Sequence, residues 1–194
     1  MTLTVVGTVK SRALRVLWLL EELGLPYEHV PAQPRSPEAR ASNPSGKIPA
    51  LVTEEGALTD STAILHYLAD REGRLTHPAG TPGRARQDAV TFRVLDEVEG
   101  PLWLAARHGF VLPEDRRVPA VKDTARREAA EALARIEAPQ DFAAGDAFTV
   151  ADIVLAHCIR WATNAKVDPI PDALSAYTAR MAERPAFRRA AALP

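Results

Sequence analysis

The chain has 194 residues, a formal net charge of −1, 46% hydrophobic residues and 25% charged residues, which bounds it to one large domain or two small ones and excludes wholesale disorder. A near-neutral charge excludes the electrostatic footprint of a dedicated nucleic-acid binder. The single cysteine, Cys158, excludes an internal disulfide framework, a CxxC redox pair and a Cys-rich zinc site.

The opening MTLTVVGTVKSR lacks a basic region followed by a long apolar run, and no stretch approaches the roughly 20 apolar residues of a membrane span. The expectation is a cytoplasmic protein without a nucleic-acid or membrane partner. Thr2–Val6 is β-branched and predicts a strand. Ala13–Leu23 carries Leu14, Leu17, Trp18 and Leu20 at helical spacing, with Gly24 and Pro26 as stop signals. Tyr27–Val30 predicts a second strand, and Pro37–Ser42 suits one short helical turn. Ala50–Thr53 and Ala57–Thr59, separated by three residues, predict an antiparallel hairpin. Asp60–Arg71 returns to helical period through Ile64, Leu65 and Leu68. The order β-α-β-α-β-β-α makes residues 1–74 an α/β domain.

The segment Gly73–Gly83 contains three glycines and two prolines in eleven residues, which predict an interdomain linker. Alanine is sparse before it and abundant after it, where residues 84–194 predict an all-helical domain. Helices are expected from Arg84 to about Arg107 with a kink at Gly100-Pro101, over Pro119–Glu137, from Thr149 to about Ala165, and over Asp172–Glu183 and Pro185–Ala191. Thr149-Val-Ala-Asp152 is a capping-box pattern. Glu97 and Glu99 are expected on a solvated face, and Cys158 in the core. The five histidines show no metal-ligand spacing, so no metal is expected.

Three clusters in the first domain carry chemical potential. They are Ser11-Arg12 at the exit of the first strand, Asn43-Pro-Ser-Gly-Lys-Ile-Pro49 before the third, and Asp60-Ser61 opening a helix. Ligands collect beyond the carboxyl ends of parallel strands, and the free amides of a helix start attract a carboxylate. Read alone, each cluster has a plainer meaning: Ser11, Asp60 and Ser61 as helix caps, Gly-Lys-Ile-Pro as a turn. No GxSxG elbow or adjacent base supports a nucleophilic serine. The loop also lacks the spacing of a Walker motif.

The runs at 11–28, 43–51 and 58–68, with Phe-Thr-Val-Ala-Asp-Ile (148–153) and Tyr-Thr-Ala-Arg-Met-Ala-Glu-Arg-Pro-Ala-Phe (177–187), closely resemble bacterial glutathione S-transferases. The resemblance implies a thioredoxin-like first domain, a helical second domain and a homodimer, with glutathione as cosubstrate. A thiolate held in a cleft shared by the domains would attack a small electrophile. Ser11 matches the serine of the Ser-type members, whose hydroxyl faces the glutathione sulfur. Arg12 meets a carboxylate or the electrophile, or is simply solvated. Pro49 matches the family's cis-proline, which turns the Ile48 backbone toward the cysteinyl backbone and leaves Lys47 for the glycine carboxylate. Asp60 and Ser61 match the pair that holds the γ-glutamyl end, Asp60 replacing the commoner Glu. Trp103, Arg107, His108 and Trp161 fall where relatives build the second-substrate pocket, although aromatic residues on helices also serve the core. The same resemblance extends to glutathione-dependent isomerases, dehalogenases and peroxidases, and to non-catalytic binding modules.

Overall fold

The computed structural model describes residues 3–194. Strand β1 (Leu3–Val6) leads into helix α1 (Ala13–Leu23), whose residues Ala13 to Leu20 are all buried. A helix apolar on nearly every side has to be covered on every side. Gly24 ends it in the left-handed region, at φ 69°, with its N–H on the Leu20 carbonyl. Strand β2 (Tyr27–Val30) and helix α2 (Pro37–Ser42) follow, then β3 (Ala50–Thr53), β4 (Gly56–Thr59) and helix α3 (Ser61–Glu72). The first strand is thus observed from Leu3. Thr2, expected in it, lies outside the described residues.

The sheet order is β2-β1-β3-β4. β1 runs parallel to β2 and antiparallel to β3, and β3 pairs antiparallel with β4. The expected β-α-β-α-β-β-α order therefore forms a thioredoxin-like unit. Its core takes Val5, Leu17, Trp18, Leu51, Ile64, Leu65 and Leu68, each at most 1% exposed.

The chain separates into two compact units. One comprises the described residues up to Ala79 together with Ala182–Pro194, and the other is Gly80–Met181. The first division falls between Ala79 and Gly80. Thr81 accepts from the Arg84 N–H and caps α4 (Pro82–Arg93). The terminal helix α9 (Pro185–Ala191) groups with the α/β unit rather than with the helices before it. Arg184 grips Glu22 with two nitrogens at 2.6 and 2.9 Å, Arg189 reaches Glu21, and the Phe187 ring meets Trp18 edge-on at 4.9 Å.

The helical unit contains α4, α5 (Gly100–Ala106), α6 (Pro119–Ala134), α7 (Val150–Asn164) and α8 (Asp172–Ala182). Small buried residues, Ala105 and Ala106 on α5 and Ala125, Ala129 and Ala132 on α6, allow the close approach of this pair. The expected kink takes a particular form. Val94–Glu99 is π-helical, and the Gly100 N–H donates to the Leu95 carbonyl five residues back. Pro101 has no N–H to continue the ladder, and the wider turn absorbs the break. That turn also corrects one expectation: Glu99 is buried, not solvated, and accepts from the Cys158 thiol at 3.4 Å. Glu97 stays at the surface beside Arg93 and Arg135. The capping box forms, with the Thr149 N–H on Asp152 Oδ2 at 2.8 Å. Among the described residues, no helix is long and apolar enough to cross a membrane, and no group of His, Cys, Asp or Glu is arranged to hold a metal ion.

Candidate functional site

Strand register decides where the three clusters lie. Val6 pairs with Ala50, and Ala50 with Thr59. The chain leaving β1, the chain entering β3 and the chain leaving β4 therefore emerge at one end of the sheet. Those segments are Gly7–Arg12, Asn43–Pro49 and Asp60-Ser61.

Gly7 is the crossing point, and sequence reasoning missed it. Its N–H donates to the Val30 carbonyl at 3.0 Å, and its own carbonyl accepts from His29 Nε2 at 2.7 Å. With φ at +149°, a side chain there would stand 2.8 Å from Ala13 Cβ and 3.3 Å from Ile48 Cβ. Only glycine lets the start of α1 and the Ile48-Pro49 segment close over the end of β1. A lone glycine between a strand and a helix was the available signal.

Ser11 closes a tight turn before α1 and is half-buried. Its hydroxyl donates to the Thr8 carbonyl at 2.7 Å and accepts from the Ala13 N–H at 3.1 Å. The Ser11 N–H also donates to the Thr8 carbonyl, at 3.0 Å. Ser11 is thus a cap in fact, and the same bonds leave its proton transferable: if the hydroxyl turns to another acceptor, the Thr8 carbonyl keeps a donor. Arg12, half-buried, stands beside it at the helix start.

The second cluster is a locked loop. Asn43 Nδ2 donates to the Lys47 carbonyl at 3.0 Å, and Asn43 Oδ1 accepts from both the backbone and the hydroxyl of Ser45. The Gly46 carbonyl accepts from the Arg35 N–H at 2.8 Å. Lys47 is exposed, Ile48 half-buried, and the Ile48–Pro49 bond is cis, as the resemblance implied. A second cis bond, Asp168–Pro169, lies in the helical unit.

The third cluster combines a cap with strained backbone. Asp60 holds φ 69°, ψ 120°, a conformation that residues with a Cβ rarely adopt. Its Oδ1 accepts from the Thr62 and Ala63 N–H groups at 2.8 and 3.0 Å. Ser61 is buried, and its Oγ accepts from Arg15 Nη1 at 3.4 Å. Arg15 itself is fully buried and was not singled out from the sequence, where it reads as one charge in an apolar helix.

The four other candidates occupy the helical unit. Trp103 lies on α5 with 36% of its surface exposed. Arg107 and His108 begin a second π-helical turn, Arg107–Val111. His108 Nδ1 accepts from the Val118 N–H at 3.1 Å, so His108 also caps the chain entering α6. Trp161, on α7, meets His157 edge-on at 6.5 Å.

A thioredoxin-like unit with three loop clusters gathered at one end of its sheet, joined in sequence to a helical unit, defines a class of protein, and comparison with known proteins agrees. The glutathione S-transferase N-terminal domain matches residues 11–78 and the glutathione S-transferase C-terminal domain matches residues 101–185. A glutathione S-transferase of Xanthomonas campestris pv. campestris is 34% identical over 141 residues, 69% of this chain and 68% of that protein. A maleylacetoacetate isomerase of Rhizobium meliloti is 30% identical over 196 aligned positions, 93% of this chain and 91% of the other. The crystal structure of the theta class glutathione S-transferase from Xanthomonas axonopodis pv. citri, with glutathione bound, matches with a TM-score of 0.79 at 27% identity, covering 99% of this chain and 98% of that one. The chain belongs to the glutathione S-transferase family of enzymes.

Proposed function

We propose that this protein conjugates the thiol of glutathione to a small electrophile, with Ser11 stabilising the thiolate. The observation that carries the reading is the register Val6–Ala50–Thr59, which brings the three clusters to one end of the sheet. In this reading the Ser11 hydroxyl turns from the Thr8 carbonyl to the glutathione sulfur. A hydrogen bond to the charged form lowers the thiol pKa. The Ile48 N–H and C=O pair with the cysteinyl backbone as an added strand does, Lys47 takes the glycine carboxylate, and Pro49 fixes the turn. Ser61 meets the γ-glutamyl carboxylate and Asp60 its ammonium group. Arg12 holds a cation beside the sulfur, and Trp103, Arg107, His108 and Trp161 take the electrophile. The thiolate forms a C–S bond as the leaving group departs with the bonding pair. A symmetric homodimer, to be checked by light scattering, belongs to the same reading.

The test is retention of the folded protein on immobilised glutathione together with turnover of a chlorinated dinitrobenzene. Binding with chloride release supports the reading. A folded sample that does neither refutes it in favour of a non-catalytic module. The relative named a maleylacetoacetate isomerase favours a second reading, in which glutathione adds to an activated double bond and leaves again. An electrophile panel run with and without glutathione separates the two, because conjugation consumes the thiol and isomerisation returns it.

A further inference from the structure

We propose that Arg15 gives the Ser61 subsite its preference for a carboxylate, acting as a positioning residue through the Ser61 hydroxyl. The inference rests on the glutathione reading above and assigns a role to a residue that reading leaves unused.

Three observations converge. Arg15 Nη1 lies 3.4 Å from Ser61 Oγ. A guanidinium only donates and stays protonated, so the serine oxygen is the acceptor and its own proton is directed to an acceptor elsewhere. Ser61 is thereby set to recognise an anion and not an ammonium group.

The second observation is at the start of α3. Asp60 already accepts from the Thr62 and Ala63 amides and places a full negative charge there. The helix end offers only about half an elementary charge of the opposite sign. A ligand carboxylate arriving beside Asp60 therefore meets net repulsion unless a fixed cation lies behind it, and Arg15 is that cation.

The third is cost. Arg15 is fully buried in a helix whose other buried side chains, from Ala13 through Leu20, are apolar. Burying a charge costs several kcal/mol, and a leucine or methionine would fill that space without the penalty. The result is a divided reader of an α-amino-acid group, with Asp60 facing the ammonium and Ser61, backed by Arg15, facing the carboxylate.

The experiment measures calorimetric affinities of wild type, Arg15→Gln, Arg15→Lys and Ser61→Ala for three ligands. These are glutathione, an analogue with 4-aminobutanoyl in place of γ-glutamyl, which lacks the α-carboxylate, and one with glutaryl, which lacks the ammonium. Wild type should lose about 10- to 100-fold with the carboxylate-free ligand, the range for hydrogen bonds to charged groups. Arg15→Gln should bind glutathione about tenfold more weakly yet bind the carboxylate-free ligand within about twofold of wild type. Arg15→Lys should restore most of the difference, and the loss should appear in KM rather than kcat. Equal losses for all three ligands would mean a structural role and overturn the proposal. If neither Arg15 variant folds, wild type and Ser61→Ala decide: discrimination that is absent in wild type, or intact in Ser61→Ala, overturns it. A folded wild type that binds no glutathione defeats the parent reading, a result distinct from binding without discrimination.

Discussion

Replacing Ser11 with alanine tests the thiolate assignment, and the structure sets the magnitude. In the proposed reaction the hydroxyl gives up its 2.7 Å bond to the Thr8 carbonyl, a neutral bond worth about 1 kcal/mol, and gains a bond to a charged sulfur worth about 1.5–3 kcal/mol. Because the Ser11 N–H stays on that carbonyl at 3.0 Å, no buried acceptor is stranded and no further penalty enters. The net gain of about 0.5–2 kcal/mol corresponds to roughly 0.4–1.5 pKa units. A shift of about one unit from a free thiol value near 8.5 raises the thiolate fraction at pH 7 from about 3% to about 24%.

Part of that eightfold gain is returned, because a less basic thiolate is a weaker nucleophile. A Brønsted slope of about 0.4–0.5 takes back roughly threefold. Ser11→Ala should therefore be about threefold slower at pH 7, with the midpoint of its pH–rate profile about one unit higher. Above pH 9, where both thiols are ionised, the variant should become the faster enzyme. The assay is the conjugation rate at saturating glutathione from pH 6 to pH 10. Loss of the bond from the Ala13 N–H also removes a cap worth about 0.5–2 kcal/mol, which lowers Tm without moving the profile. A lower Tm with an unmoved midpoint and no crossover would refute the thiolate role and leave Ser11 a cap.

Other perturbations test the surroundings. Gly7→Ala forces a Cβ to within 2.8 Å of Ala13 Cβ at φ +149°; it should cost about 1–3 kcal/mol and weaken glutathione binding more than Tm alone would suggest, as titration calorimetry can check. Asp152 accepts from Ala143, Thr149 and Tyr177, the last at 2.6 Å. Burial pushes its carboxyl above the ordinary 3.8, and these donors pull it back without cancelling the rise. Asp152→Asn turns an acceptor into a donor that faces other donors, and chemical denaturation should show a loss of about 2–4 kcal/mol. For Glu21, burial raises the carboxyl, but the Arg189 and Tyr27 hydrogen bonds outweigh it and hold the group below its ordinary 4.5. The stabilisation this implies is complete above pH 4.5 and is lost as pH falls through the lower folded value. Thermal melts of wild type and Arg189→Ala should therefore differ at pH 7 and converge as pH falls through the lowered folded value of Glu21; a constant gap would show that Arg189 contributes through packing alone.

The elements were legible where periodicity and punctuation agree. Ala13–Leu23 ends where Gly24 and Pro26 say it should, and the short Glu54-Glu55 turn between β3 and β4 forces an antiparallel hairpin. What escaped was set by tertiary context. The π-helical turn before Gly100 inserts a residue into the helical period, so a pattern read at 3.6 residues per turn put Glu99 on the wrong face. The grouping of α9 with the α/β unit depends on pairs 162 and 168 residues apart, Arg184 with Glu22 and Arg189 with Glu21, which no local window contains. Within the candidate site, the loop motifs were visible because their residue types are unusual in sequence. Gly7 and Arg15 were not, because one matters through what it lacks and the other through what lies behind it.

Ser11 and Ser61 follow one rule. Each hydroxyl oxygen accepts from a donor on α1, the Ala13 amide for Ser11 and the Arg15 guanidinium for Ser61. A hydroxyl whose oxygen is engaged by a fixed donor offers its proton outward, and an anion is the ligand that gains most from it. Glutathione in the proposed reaction presents two such anions, the thiolate and the γ-glutamyl carboxylate, and α1 polarises a serine for each. The rigidity of α1 then carries functional weight. Its burial from Ala13 through Leu20 and its anchoring to α9 through Glu21 and Glu22 hold both donors in place. A change that loosens the α1–α9 contact should therefore weaken both anion subsites together, although Arg184 and Arg189 touch neither.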